Sequence, residues 1–494
     1  MIDTKSNDSE MKWKYMKFKN LFESCTPGFN VIIKSLMTLI RHGGDPKSLD
    51  TRDESLENFT FLLSGWKRAQ KIIAEELIRR ISHIEHLEKE KKLAHSDKNY
   101  EKKKKHIQDI QINKLEIRIL RRCIDSIVWT ILSNEHSSLR RLPINGTPDN
   151  LSEFNINNSM RVADEINSNP MAIAIITDIT TFIHTGDLLA FNPDQGISLI
   201  EIKSGKKNIE FSKAAIFSVK SECPQFDEEY TKDFDKKDLN HYQRTKRQLV
   251  RARNVAETIN TGKGFDNYHQ SPVIIQDRNF RPHFYTDKII KLWHEIYNGK
   301  SWAITDINEC LFIGAYKNAN MGFCGFNGWM EVSDISGTIY NILDSFSDYL
   351  SRPFFSLNLP DKLLLDIINS EFIIVLCFDH KLFFQRAQKK HPGLYSILDF
   401  PSKMADTKNM LSINGKGIAV KVDGMDNFIA NGYETRAIFD QHEPDSLIDW
   451  SYRMSDLKKA SDKNKRILKK QSKKKDKKSK KKKPKIKVSL SLAH

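Results

Sequence analysis

The stretch "GDLLAFNPDQGISLIEIKSGKKN", Gly186 to Asn208, limits what this chain can fold into more than any other part of it. Two short apolar runs, "DLLAF" and "SLIEI", flank the turn residues "NPDQG", which is the pattern of a β-hairpin. With the turn centred on Asp194, Phe191 faces Ile197, Leu189 faces Leu199, and Asp187 faces Glu201. Side chains alternate along a strand, so Lys203 shares the face of Glu201. Leu188, Ala190, Ile200 and Ile202 occupy the other face. Apolar residues on both faces predict an interior hairpin with three charged groups gathered at one end.

Directly opposed like charges repel, and burial adds a desolvation cost to each. A hard divalent cation such as Mg²⁺ removes the conflict, because it takes oxygen ligands and is held by only one or two carboxylates. The ammonium of Lys203 can orient or deprotonate a water, or stabilise charge developing on a phosphate. This combination suits hydrolysis of a phosphodiester. The competing reading is a buried Asp–Lys–Glu ion network that holds no metal.

The "GD" at 186–187 followed by "EIK" at 201–203 resembles the PD-(D/E)XK nuclease superfamily. Asp187 matches its first acid, with Gly186 where the name has proline, and Glu201 and Lys203 match the second acid and the lysine. The resemblance covers roughly residues 115–260. It implies a restriction-endonuclease-like αβββαβ core of the α/β class, Mg²⁺ or Mn²⁺ at the acids, and cleavage of DNA or, less often, RNA. Members often carry a further acid on the helix before the sheet. Asp125 is the candidate, with a capping or core role as the alternative, and Asp178 competes for a metal role. The helix after the sheet often presents a polar residue to the site. Gln243, Arg247 and Arg251 stack on one face of "HYQRTKRQLVRARN", so Gln243 is expected to position phosphate or water and the arginines to touch the backbone. Lys206 and Lys207 are further candidate phosphate contacts. His184, although near Asp187, reads as structural. A role in defence against phage or mobile DNA follows by analogy alone.

Four regions are expected along the chain. Residues 1–114 form a helical part in which apolar residues of 67–92 and 107–132 recur at helical spacing, an αα-hairpin broken by "HSDKNYEKKKKH". Residues 115–265 hold the nuclease core, including a charged loop after Lys203 and a helix ending before Gly262. Residues 266–456 read as an additional α/β domain, with strands at "SWAITD", "CLFIGAY", "FIIVLCF", "GIAVKV" and "RAIFD" and a helix at "SGTIYNILDSFSDYL". Residues 457–494 are a Lys-rich tail with nothing to bury, and disorder is expected there.

Of the 79 Lys and Arg, 18 lie in that tail beside only two of the 63 Asp and Glu, so residues 1–456 balance and the net charge of +16 belongs to the tail. The tail could attract polyanions loosely, but the high isoelectric point is no sign of a basic folded surface. The six cysteines are scattered without a CxxC pair, which excludes a cysteine zinc site and suits a reducing compartment. No run approaches the roughly 18 apolar residues of a membrane span, and cytosol is the expectation. No GxxxxGK[ST] loop occurs, so any ATPase would be a partner subunit. A homo-oligomer and a sensor subunit are the other expected partners. The reading from a different class is a catalytically silent nuclease-fold subunit that binds nucleic acid.

Overall fold

The computed structural model describes residues 15–44, 56–143, 151–203, 205–221, 223–266, 270–275, 280–404, 407–422 and 424–456. The Lys-rich tail lies outside them.

After a 3₁₀ turn at Leu21–Ser24 come the helices Phe29–His42 (α1), Leu56–Ser96 (α2) and Tyr100–Ile131 (α3), the last two forming the expected αα-hairpin. Both helices run further into the polar segment than periodicity alone suggests. The turn needs only three residues: Lys98 adopts φ +53, and the Asn99 side chain caps α3 by accepting from the Lys102 N–H at 3.0 Å. Inside the hairpin, Leu63, Trp66, Ile73 and Leu77 of α2 are buried with Ile119, Leu120, Cys123 and Ile127 of α3. Each such side chain contributes roughly 1.5–3 kcal/mol by leaving water. A buried ion pair crosses them, Arg80 Nε to Glu116 Oε2 at 2.8 Å. Glu116 Oε1 accepts from the Thr26 N–H and Oγ at 2.6 Å each, so one carboxylate ties the segment before α1 to the hairpin.

Helix Glu153–Asn167 (α4) leads into Ile173–Ile176 (β1), Leu188–Asn192 (β2) and Gly196–Ile200 (β3), an antiparallel sheet in that order. The β2–β3 register pairs Leu189 with Leu199 and Phe191 with Ile197, as the turn chemistry predicts. The segment after Lys203, expected to be a loop, is helical at Lys206–Ser221 (α5) and Pro224–Tyr230. Its Phe211, Ala214 and Ala215 pack on Tyr242, a tertiary contact that the surrounding charges hide in the sequence. Lys236–Thr261 (α6) follows and stops at Gly262, which takes φ +75 and returns its N–H to the Thr258 carbonyl.

The sixth element of the expected αβββαβ order departs from expectation. Strand Lys263–Asp266 (β4) pairs with Ser271–Ile274 (β5) in a separate ribbon. On the β3 edge the Asn260 side chain accepts from the Ile197 N–H and donates to the Ile197 carbonyl, both at 2.9 Å. A side-chain amide thus stands where a neighbouring strand's peptide would bond.

Residues 280–456 are mixed α/β. Strands Trp302–Ile307, Leu311–Tyr316, Ile373–Phe378 and Ile339–Asn341 form an antiparallel sheet in that spatial order. Two expected elements change type. "RAIFD" ends the helix Gly432–Ile438 instead of forming a strand. "SGTIYNILDSFSDYL" contributes the strand Ile339–Asn341 and a 3₁₀ turn that an Asn341–Asp344 capping box starts. One continuous cluster of buried apolar side chains runs from Phe22 to Ile448. Arg41 of α1 reinforces it by binding Asp361 at 2.7 Å and the carbonyls of Phe355, Leu357 and Leu359. Among the described residues no helix is long and apolar enough to cross a membrane.

Candidate active site

Gly186 sets up the end of the hairpin. It holds φ +77, and a Cβ there would meet the Ile200 carbonyl oxygen at 3.1 Å, so only glycine fits comfortably. The Thr177 N–H donates to the Asp187 carbonyl at 3.0 Å and the Thr177 hydroxyl to the Gly186 carbonyl at 2.5 Å, clamping this corner to the end of β1. The Asp187 N–H donates to the Ile200 carbonyl at 2.7 Å. Its carboxylate Oδ2 accepts from the Ile202 N–H at 2.5 Å, so the acid holds the chain of "EIK" against itself.

The expected trio therefore meets just past the last ladder pair. Lys203 Nζ lies 3.2 Å from Glu201 Oε2, with those side chains only 20% and 11% exposed, so the pair is largely shielded from solvent. Burial pushes the Asp187 carboxyl above its ordinary range. The charges of Glu201 and Asp178 push the same way, while the Ile202 N–H and Lys203 oppose them. Asp187 and Glu201 repel each other, and a divalent cation between the two carboxylates would relieve that repulsion. Asp187 Oδ1 and Glu201 Oε1 make no hydrogen bond among the described residues and are the oxygens open to it.

The glutamine that joins this group is Gln248, not Gln243. Gln248 Oε1 accepts from Lys203 Nζ at 3.1 Å, whereas Gln243 is exposed. The helix phase decides this: Gln248 and Arg251 stand three apart on the face turned to the sheet. Arg251 is half-buried and attracted to Glu201, while burial pulls its guanidinium below the usual arginine range. Arg247 is exposed. Gln243, Arg247, Gln248 and Arg251 all line one groove of about 900 Å³ along α6, with Phe265 of β4 on its wall. The shared face expected for Gln243, Arg247 and Arg251 lines this groove, but Gln248, which reaches Lys203, was not among the expected residues. Gln248 was legible only as the partner of Arg251 at helical spacing.

Two further expectations change. Asp125 is fully buried, but both its oxygens are committed. Oδ1 accepts from the Thr181 N–H at 2.9 Å; Oδ2 takes the Thr181 hydroxyl at 2.5 Å and Arg122 Nη1 at 3.1 Å. It anchors the turn after β1, the arrangement that the core alternative describes, and leaves neither oxygen free for the metal role expected of it. Lys207 is paired with Asp238 at 2.5 Å, so its charge is already engaged, whereas Lys206 is exposed. The backbone N–H of His184 donates to the Leu142 carbonyl at 3.3 Å.

No family model matches this chain, and neither a curated protein nor a solved structure shows significant similarity to it.

Proposed function

We propose that the chain is a divalent-metal-dependent nuclease that hydrolyses phosphodiester bonds, with DNA as its substrate. The observation that carries this reading is the meeting of Asp187, Glu201 and Lys203 at one hairpin end. Mg²⁺ or Mn²⁺, held by Asp187 and Glu201, would supply Lewis acidity toward a phosphate oxygen. Lys203, bridging Glu201 and Gln248, offers an ammonium N–H to charge that develops on the phosphate. Gln248 fixes the direction of that ammonium. Arg251 and Arg247, along the same groove, neutralise the backbone of the bound strand. By family analogy the proposal extends to defence against phage or mobile DNA.

The silent-subunit reading draws its support from β4, which pairs with β5 outside the sheet. The two readings part on cleavage. Supercoiled plasmid, linear duplex, single-stranded DNA and RNA, each incubated with Mg²⁺, Mn²⁺ or EDTA, should show metal-dependent cutting of DNA by the nuclease. Metal-induced thermal stabilisation, lost in Glu201→Gln but without cutting of any substrate, would support the silent subunit instead.

A further inference from the structure

A cavity of about 1020 Å³ shares no lining residue with the hairpin. It opens between α1, the end of α3, the segment 280–287 and the C-terminal region. Its walls combine aromatic faces, Trp66, Trp129, Phe284 and Trp450, with the guanidiniums of Arg352 and Arg436.

Arg436 is only 8% exposed, and its Nε is buried with no hydrogen-bond partner among the described residues. The guanidinium stacks over the Trp450 ring at 5.1 Å. Elsewhere the same fold pairs its buried guanidiniums: Arg80 has Glu116, and Arg122 has Asp125. A buried guanidinium N–H left without an acceptor is costly. Arg352 repeats the pattern in part. It reaches only the Ser356 carbonyl, its Nε is buried without a partner, and burial pulls it down to about 10, which still leaves it charged at neutral pH. The indole N–H of Trp129, at 2% exposure, also lacks an acceptor.

A metal at the same wall is the other candidate. His136, Asp440 and His442 bring possible ligand atoms within 4.8 Å of one another. The Asp440 carboxylate, however, is already spent on His136 Nε2 and on the Arg352 N–H at 2.6 Å. The positive guanidiniums of Arg436 and Arg352 on the same wall disfavour a further cation. Burial pulls His136 down and His442 down to about 3, which favours neutral rings, a form open both to hydrogen bonding and to a metal, and for that reason zinc is titrated as well.

We propose that this cavity is a second ligand site, built for a nucleotide-class small molecule whose phosphate is taken by Arg436 and Arg352 and whose base stacks on the aromatic wall. A volume of this size holds such a ligand. Trp450 and Phe284 supply faces for the base, and the Trp129 N–H and the neutral imidazoles supply hydrogen bonds to its edge.

The test is calorimetric titration of the full chain, in EDTA, with ribonucleoside mono- and triphosphates, cyclic mononucleotides and cyclic dinucleotides. Pyrophosphate is titrated alongside, and ZnCl₂ in a separate EDTA-free cell. At least one nucleotide is expected to bind with Kd below about 100 μM, accompanied by quenching of tryptophan emission. Arg436→Gln should weaken it tenfold or more, as loss of a charged hydrogen bond does. Phe284→Ala, at a side chain 42% exposed and so no threat to folding, should weaken it as well. Glu201→Gln should leave it unchanged, which separates this site from the hairpin. The proposal is overturned if no nucleotide binds, if pyrophosphate binds as tightly as the best nucleotide, if Arg436→Gln and Phe284→Ala both bind like wild type, or if zinc alone binds.

Discussion

Lys203 touches both an acid of the hairpin and the glutamine of α6, so its removal takes away the ammonium and leaves Glu201 without its partner. Lys203→Ala should lower cleavage by about 100-fold or more and also lower the thermal midpoint in EDTA, since a shielded carboxylate is left unpaired, while the far-UV spectrum stays near wild type. Asp187 makes a different prediction, because its carboxyl is held above the ordinary range, chiefly by burial. Ionising it costs the folded state something that the unfolded chain does not bear. In EDTA, Asp187→Asn should therefore match wild type at acid pH, where the carboxyl is protonated in both states. The variant should become the more stable as pH rises above the ordinary carboxylate range. Mg²⁺ should reverse that order, because it rewards the carboxylate. Thermal melts at stepped pH with and without Mg²⁺ read both effects, and a constant difference across pH would remove Asp187 from the account. These three charges were legible in the sequence because strand alternation and a tight turn fix register. Asp125 was legible as inward-facing but not in its role, since only the fold shows that Thr181 and Arg122 use up both oxygens.

Helix α6 serves the site in two ways. Its middle turns Gln248 and Arg251 to the hairpin, and its last turn sends Asn260 to the open edge of β3. Asn260→Ala should destabilise the protein by about 1–2 kcal/mol in urea unfolding, through two lost hydrogen bonds; an unchanged midpoint would mean that water replaces them fully. Arg251→Ala should reduce the slope of log binding constant against log salt by about 1 on duplex DNA, with little change in sequence preference. An unchanged slope would take Arg251 off the phosphate path. The long helices were legible because their apolar residues keep a helical period over many turns. Helix α5 was not, since its buried face is carried by Phe211 and two alanines among four lysines and a glutamate. "RAIFD" alternates too briefly to separate a strand from the end of a helix, and packing settled it.

The chain reads from sequence as a helical region, a core and a further α/β region, whereas the described residues share one continuous apolar cluster from Phe22 to Ile448. Long-range pairs such as Arg41–Asp361 and His136–Asp440 join α1 and the end of α3 to the C-terminal region. Such pairs leave no trace in local periodicity, which is why both they and the large cavity were invisible to sequence reading. Residues 115–265 expressed alone should accordingly expose apolar surface and give no cooperative melt, while the full chain unfolds in one calorimetric transition; two well-separated transitions would contradict a shared core. Deleting residues 457–494 should weaken binding at low salt, because that stretch holds the whole net charge, but leave cutting intact. The most direct measurement is the Mg²⁺-dependent nicking and linearisation of supercoiled plasmid by wild type and Glu201→Gln at equal concentration. Cutting by wild type that EDTA abolishes and Glu201→Gln lacks is the predicted result. Equal cutting by the two proteins, or cutting that persists in EDTA, would contradict a metal-dependent site at this hairpin.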